Sequence, residues 1–173
     1  VMKAHPEIII VGTAGPGSHA KNPDYEAGWQ LAKELDMPIL DEHYYEQNDF
    51  FLNKRQYHSY PRGGKTKVYL GEYAAKDKKF IDALAEGLYL LHVERNADVV
   101  AMTSYAPLFA RKDGTQWNPD MIYYDNERPY LTCSYYVQQL FGQSSGNYWY
   151  GDCVKFDGDA ADAIQPMENV HYG

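Results

Sequence analysis

Four short apolar runs recur along the chain, Ile8-Ile9-Ile10-Val11, Pro38-Ile39-Leu40, Val68-Tyr69-Leu70 and Val99-Val100-Ala101-Met102, and counted from Ile8, Ile39, Val68 and Val99 they start 31, 29 and 31 residues apart. A strand, a helix and the turns that join them occupy roughly 30 residues, so the spacing predicts repeated strand-helix units. The runs are apolar throughout, without polar alternation, as in strands covered on both faces of a parallel sheet.

The segments between the runs predict the helices. From Asp24 to Asp36, Tyr25, Gly28, Trp29, Ala32 and Leu35 fall on one face, with Asp24 as N-cap after Pro23. From Lys78 to Glu94, Ile81, Leu84, Leu88 and Leu91 repeat at helical spacing, with Lys79, Asp82 and Glu86 assigned to the opposite side. Asp49 to Tyr57 and Ser134 to Phe141 are the other two candidates. Residues Val1 to His5 read as the last turn of a helix that Pro6 ends, as though the chain starts in mid-fold.

Alternation of this kind suits either a doubly wound sheet or part of an eight-stranded β/α barrel. Gly12-Thr13-Ala14-Gly15-Pro16-Gly17 has neither the dinucleotide fingerprint nor the Walker spacing, which weakens the first option. Polar and aromatic residues crowd the ends of the later strands instead: Asp41, His43 and Tyr45, then Glu72, then Ser104 and Tyr105. A barrel carries its active site at that end, so the expected class is α/β, a partial (β/α) barrel.

Charge and composition narrow the function. A net charge of -8 with no basic run excludes a nucleic-acid backbone as partner, and no apolar stretch reaches the length that spans a bilayer. The six histidines have no paired spacing on a helix and the two cysteines no ligand spacing, so no metal or cofactor is expected. Aromatic residues make up 15% of the chain; rings with polar tips suit sugars, although such rings are more often core.

Strand alternation puts Asp41, His43 and Tyr45 on one face and Glu42 and Tyr44 on the other. Glu72 ends an apolar strand beside Gly71, which leaves room for close approach. A carboxylate there needs hydrogen-bond partners, and His43 or Tyr45 could supply them. The residues alone leave two readings open: a catalytic carboxylate, or a structural one satisfied by tyrosines.

Several ordered motifs carry a resemblance. Leu35-Asp36-Met37-Pro38-Ile39-Leu40-Asp41-Glu42-His43-Tyr44-Tyr45, Val68-Tyr69-Leu70-Gly71-Glu72-Tyr73-Ala74, Glu94-Arg95-Asn96-Ala97-Asp98-Val99-Val100, Ser104-Tyr105-Ala106-Pro107-Leu108-Phe109-Ala110 and Trp117-Asn118-Pro119-Asp120 follow one another, with Ser134-Tyr135-Tyr136-Val137-Gln138 after them. From Met2 to Phe141 the chain resembles glycoside hydrolase family 51, on the α-L-arabinofuranosidase branch that includes the plant-type enzymes. The resemblance implies that the four runs are barrel strands 5 to 8. It implies that Glu72 is the nucleophile, that His43 and Tyr45 line the sugar subsite, and that Trp117 and Asn118 contact the arabinose ring. The family's acid/base glutamate lies upstream of Val1, so the chain holds half of the catalytic pair and is expected to be inactive alone.

The implied partner is an arabinose-containing plant cell-wall polysaccharide or oligosaccharide, with a secreted or periplasmic location favoured over a cytoplasmic one. Asn126-Glu127 reproduces the acid/base dipeptide but falls in a polar loop, and it is rejected. Residues 142 to 173 read as a linker and a tail too short and polar for the family's β-sandwich, with at most one strand near Cys153-Val154-Lys155-Phe156. Two alternatives stay open: a non-catalytic carbohydrate-binding or scaffold fragment, and a flavodoxin-like domain with helices on both faces of an open sheet.

Overall fold

In the computed structural model residues 3–17 and 22–148 are described. The strands are β1 (Val11–Thr13), β2 (Ile39–Glu46), β3 (Lys67–Ala75) and β4 (Val100–Tyr105), and all neighbours pair in parallel in the order β1-β2-β3-β4. Helix α1 (Asp24–Glu34) links the first pair, the short α2 (Asn48–Asn53) and a 3-10 turn at Gln56–Ser59 the second, and α3 (Phe80–Glu94) the third. A small sheet of β5 (Phe109–Arg111), β6 (Ile122–Tyr124) and β7 (Pro129–Leu131) follows, and α4 (Cys133–Gln143) packs beside α3.

All three connecting helices cover one face. Leu40, Glu42 and Tyr44 of β2 and Val68, Leu70 and Tyr73 of β3 are buried. Trp29 of α1, Phe51 of α2 and Tyr89 of α3 meet that same side, as bonds and ring contacts from Trp29 to Glu42 and from Phe51 and Tyr89 to Tyr73 establish. Sequential parallel strands with helices on one face are the winding of a (β/α) barrel. The doubly wound, flavodoxin-like alternative fails, because it needs helices on both faces.

Three local expectations need correction. The first strand begins at Val11, not at Ile8, because its hydrogen-bonded register with β2 opens at Val11↔Ile39 and leaves Ile8 and Ile9 exposed. Asp24 is the first residue of α1 and not its cap; Pro23 occupies the cap position, and Asn22 Oδ1 accepts from the Asp24 N–H at 3.0 Å. Lys3 to Glu7 form turns, not a helical turn, and Val1 and Met2 lie outside the described residues.

The faces of α3 depart from those expected at four positions, while Lys79 is exposed as expected and Leu88 and Leu91 are half-buried. Asp82 and Glu86 are buried, while Ile81 and Leu84 are 41% and 44% exposed. Both carboxylates take up backbone donors that would otherwise be orphaned: Asp82 Oδ2 accepts from Lys79 N–H at 2.8 Å at the start of the helix, and Glu86 Oε1 accepts from Ala75 N–H at 2.9 Å at the end of β3. The helix therefore carries two apolar stripes. The one with Ala85, Tyr89 and Val93 meets the sheet, because only it also supplies these acceptors.

Under the sheet, Glu42 sits fully buried in an aromatic cage. Its Oε1 accepts from Trp29 Nε1–H at 2.9 Å, Tyr60 O–H at 2.7 Å and Tyr25 O–H at 3.1 Å, and its Oε2 from Tyr44 O–H at 2.9 Å and Tyr57 O–H at 3.4 Å. Loss of water pushes this carboxyl up, and the hydrogen bonds pull the other way. Five donors on two oxygens make Glu42 the polar hub that joins α1, β2 and the 56–60 segment. It plays no visible part on the opposite face.

Of the expected linker and tail, residues 142–148 are described, and the rest, with the strand suggested near Cys153, lies outside the described residues; α4 runs to Gln143.

Candidate active site

On the face turned away from the helices, β2 presents Asp41, His43 and Tyr45. Strand β3 would present Tyr69, Gly71 and Tyr73 by strict alternation, yet Tyr73 is buried with the core. The register explains the change: Glu42 pairs with Leu70 and His43 with Glu72, so Gly71 is the extra residue of a bulge. A bulge turns two consecutive side-chain positions to one side and re-aims the rest of the strand. Here it brings Glu72 onto the open face opposite His43.

The glycine at the bulge leaves room for a close approach of Asp41. A Cβ on Gly71 would fall on Asp41 Oδ1 and 2.9 Å from Asp41 Cγ. The sequence pattern indicates the room beside Glu72, but not that Asp41 fills it.

Four polar side chains form a chain of contacts. Tyr45 O–H donates to Glu72 Oε2 at 2.8 Å, and His43 Nδ1 lies 3.4 Å from the same oxygen. The other ring nitrogen, His43 Nε2, is 2.7 Å from Asp41 Oδ2. The hydrogen bond to Asp41 pushes the His43 imidazole up, against its partial burial, and the charges of Asp41 and Glu72 add to the rise. Burial and the bond to Glu72 likewise push the Tyr45 phenol up, so it stays a donor. The Glu72 side chain is 42% accessible, and its contacts from Tyr45 and His43 both fall on Oε2.

Trp117 joins this group and Asn118 does not. The Trp117 ring meets Tyr45 edge-on at 5.4 Å between centroids and is half exposed. Asn118 is exposed, and among the described residues its side chain has no hydrogen bond to Glu72, His43 or Tyr45. Of the β4 residues, Ser104 faces the open side and bonds Tyr69 O–H at 2.7 Å, whereas Tyr105 turns into the core against Tyr73. Asn126 and Glu127 occupy the turn between β6 and β7, where Asp125 Oδ1 accepts from the N–H groups of Glu127 and Arg128 at 2.9 and 3.0 Å. That is a hairpin turn with a structural reason of its own.

The arrangement therefore offers an accessible carboxylate held by a phenol and an imidazole, flanked by an indole, at the C-terminal ends of parallel strands. Such a group can attack an electrophilic carbon while an aromatic wall receives the apolar side of a sugar.

Known proteins match over the same region. Residues 57–153 match the family described as the α-L-arabinofuranosidase C-terminal domain, a match that runs past Phe141. The extracellular exo-α-L-arabinofuranosidase of Streptomyces chartreusis is 39% identical over 144 residues, covering 83% of this chain and 17% of that protein. Alpha-L-arabinofuranosidase 2 of Arabidopsis thaliana is 35% identical over 154 residues, covering 84% of this chain and 21% of that protein. Among solved structures, the arabinose-bound MgGH51 α-L-arabinofuranosidase superposes with a TM-score of 0.68 at 27% identity, covering 84% of this chain and 24% of that one. The family 51 arabinofuranosidase of Xanthomonas axonopodis pv. citri, at 17% identity and a TM-score of 0.55, shares the fold. The chain thus spans about a fifth of the length of the curated relatives it matches, and it belongs to the α-L-arabinofuranosidases of glycoside hydrolase family 51.

Proposed function

We propose that the protein carrying this chain is a retaining glycosidase that releases terminal α-L-arabinofuranosyl residues, with Glu72 as its nucleophile. The observation that carries the reading is the convergence of Tyr45 and His43 on one oxygen of a Glu72 side chain that is 42% accessible. A carboxylate fixed in this way attacks with a defined lone pair.

The reaction is a double displacement. A Glu72 oxygen bonds to the anomeric carbon as the bond from that carbon to the leaving oxygen breaks, and a second carboxyl group protonates that oxygen. Water, deprotonated by the same second group, then cleaves the glycosyl ester and returns Glu72 to its starting state. Retaining chemistry sets the two carboxyl groups about 5 to 5.5 Å apart, and in this reading the second comes from another part of the polypeptide. His43, Tyr45 and Trp117 bound the sugar subsite, and Asn118, in the same loop as Trp117, contributes at its rim. The substrate class is an arabinan or arabinoxylan-type polysaccharide or an oligosaccharide derived from one. The names of the Streptomyces and Arabidopsis relatives and the arabinose bound to the MgGH51 enzyme support this class.

The test is Glu72→Gln in the full-length protein, assayed on 4-nitrophenyl α-L-arabinofuranoside. Turnover should fall by about four orders of magnitude or more with an unchanged thermal midpoint. Turnover near that of the parent would remove Glu72 from the role.

A further inference from the structure

Asp41 is the less accessible of the two carboxylates in the open-face group. It is largely buried, with 17% of its side chain accessible, and its Oδ1 is buried without a hydrogen-bond partner among the described residues. A carboxylate placed this way without compensation costs stability, so its retention calls for a reason. Its one side-chain hydrogen bond among the described residues goes to His43 Nε2 at 2.7 Å.

The geometry around His43 supplies the reason. An imidazole has two ring nitrogens, and here each faces a carboxylate oxygen: Nε2 that of Asp41, Nδ1 that of Glu72. Only the cationic ring donates at both nitrogens. The titratable groups around it on the open face are Asp41 and Tyr45 of its own strand and Tyr69 and Glu72 of β3. The adjoining strands bring Thr13 and Ser104, which do not titrate, and Asp120 acts on Tyr45 from the loop before β6. No cation among these competes with His43.

We propose that Asp41 is a positioning residue for the reaction, acting through His43: it holds the ring as a cation turned so that Nδ1–H faces Glu72. The inference rests on Glu72 being the attacking carboxylate. Gly71 is part of the device, because any side chain at the bulge would displace the Asp41 carboxylate from the ring. The bulge accordingly does two things at once, turning Glu72 toward His43 and making the space from which Asp41 holds His43.

The experiment uses the full-length protein with Asp41→Asn, Gly71→Ala and His43→Gln, each checked for an unchanged thermal midpoint. The nitrogen-15 titration of His43 is followed in histidine-labelled protein, with His43→Gln assigning the signal. Removing a carboxylate that stabilises the cation lowers the midpoint; in Asp41→Asn it should fall by about one pH unit or more. On 4-nitrophenyl α-L-arabinofuranoside kcat should drop about tenfold to a hundredfold with little change in KM, and the alkaline limb of the pH profile should move to lower pH. In a His43→Gln background Asp41→Asn should add nothing further. Gly71→Ala, which keeps both charges, should lower the His43 midpoint and kcat in the same sense.

An unshifted His43 midpoint in Asp41→Asn would overturn the inference and leave the role of Glu72 standing. So would an equal loss of kcat from Asp41→Asn with and without His43, or full activity in Gly71→Ala. Retained turnover in Glu72→Gln overturns the nucleophile reading instead, whatever Asp41→Asn does.

Discussion

Tyr45 O–H donates to Glu72 Oε2 at 2.8 Å across the β2–β3 register, and the same ring meets Trp117 edge-on. One residue thereby ties the proposed nucleophile to the aromatic wall of the proposed sugar subsite. Tyr45→Phe keeps the ring contact and removes the bond. A hydrogen bond to a charged group contributes about 1.5 to 3 kcal/mol, so kcat/KM should fall by roughly ten- to a hundredfold in the full-length protein. Tyr45→Ala should lose more, because it also removes the support of Trp117. Equal losses in the two variants would show that the ring contact contributes nothing.

Glu42 makes the contrasting case of a carboxylate whose partners are all on the helix side. Glu42→Gln replaces one acceptor oxygen by an NH2 donor pointed at phenols or the indole that already donate there. Removing the acceptor for a buried donor costs about 1 to 3 kcal/mol for each group stranded, so a loss of roughly 2 to 4 kcal/mol is expected. Urea unfolding of the full-length protein should register it as a lowered midpoint for this part of the barrel, while KM for the aryl arabinofuranoside stays unchanged. A lowered kcat with unchanged stability would move Glu42 from the scaffold to the site.

The contrast between these two glutamates marks what is legible in the sequence. The period of the apolar runs announces the parallel strands, and strand alternation separates Asp41, His43 and Tyr45 from Glu42 and Tyr44, as the burial pattern of β2 has it. Both depend on local geometry alone. What is not legible depends on partners distant in the chain. The Glu42 cage draws on Tyr25 and Trp29 from one helix and Tyr57 and Tyr60 from a segment after another. Charge usually goes to solvent, which is where the pattern puts Asp82 and Glu86; the backbone donors at Lys79 and Ala75 reverse that. The sheet of β5, β6 and β7 escapes the pattern because three-residue strands carry too little alternation to read. Asp41 has a signal that points to it: it shares a face with His43 two residues on, and Gly71 flags a close approach. Nothing in the pattern, however, says which atom approaches.

Glu86 gives a pH dependence whose sign can be worked out. Burial raises its carboxyl from the ordinary range to about 7. The folded state then binds the proton more tightly than the unfolded chain, so the contribution to stability is fully present below the ordinary glutamate range, about 4.3, and is lost as pH rises through about 7. The full-length protein should be easier to unfold in urea at pH 8 than at pH 5 in the transition that includes α3, by on the order of 2 kcal/mol after allowance for residual solvent. Glu86→Gln keeps an oxygen for the Ala75 N–H and removes the titration. Its unfolding midpoint should be nearly the same at the two pH values. A pH 5 to 8 difference that survives the substitution would assign the effect to another group.

The 173-residue chain by itself should neither turn over substrate nor match the stability of a longer relative. Edge strands β1 and β4 expose Val11 and Met102 at 41% and 44%, with Ile9 at 66% beside them, and the open face carries Asp41, His43 and Glu72 with no opposing wall among the described residues. Unpaired strand edges and an uncovered apolar surface favour association over a folded monomer. Glu72 as the proposed nucleophile also needs a proton donor on the leaving oxygen, without which displacement of an unactivated alkoxide is slow. The two deficits separate experimentally through the leaving group. An aryl arabinofuranoside with an acidic phenol needs little protonation, so a fragment lacking only the acid would still show a burst of the phenol and become labelled at Glu72. A fragment that also lacks the opposite wall would show neither, because the sugar is not held. The expected result for the isolated chain is no burst, no label and a broad, concentration-dependent unfolding transition. A stoichiometric burst would show that β1 to β4 form a working subsite unaided, and the stability argument would then be wrong even though the need for a separate acid stood.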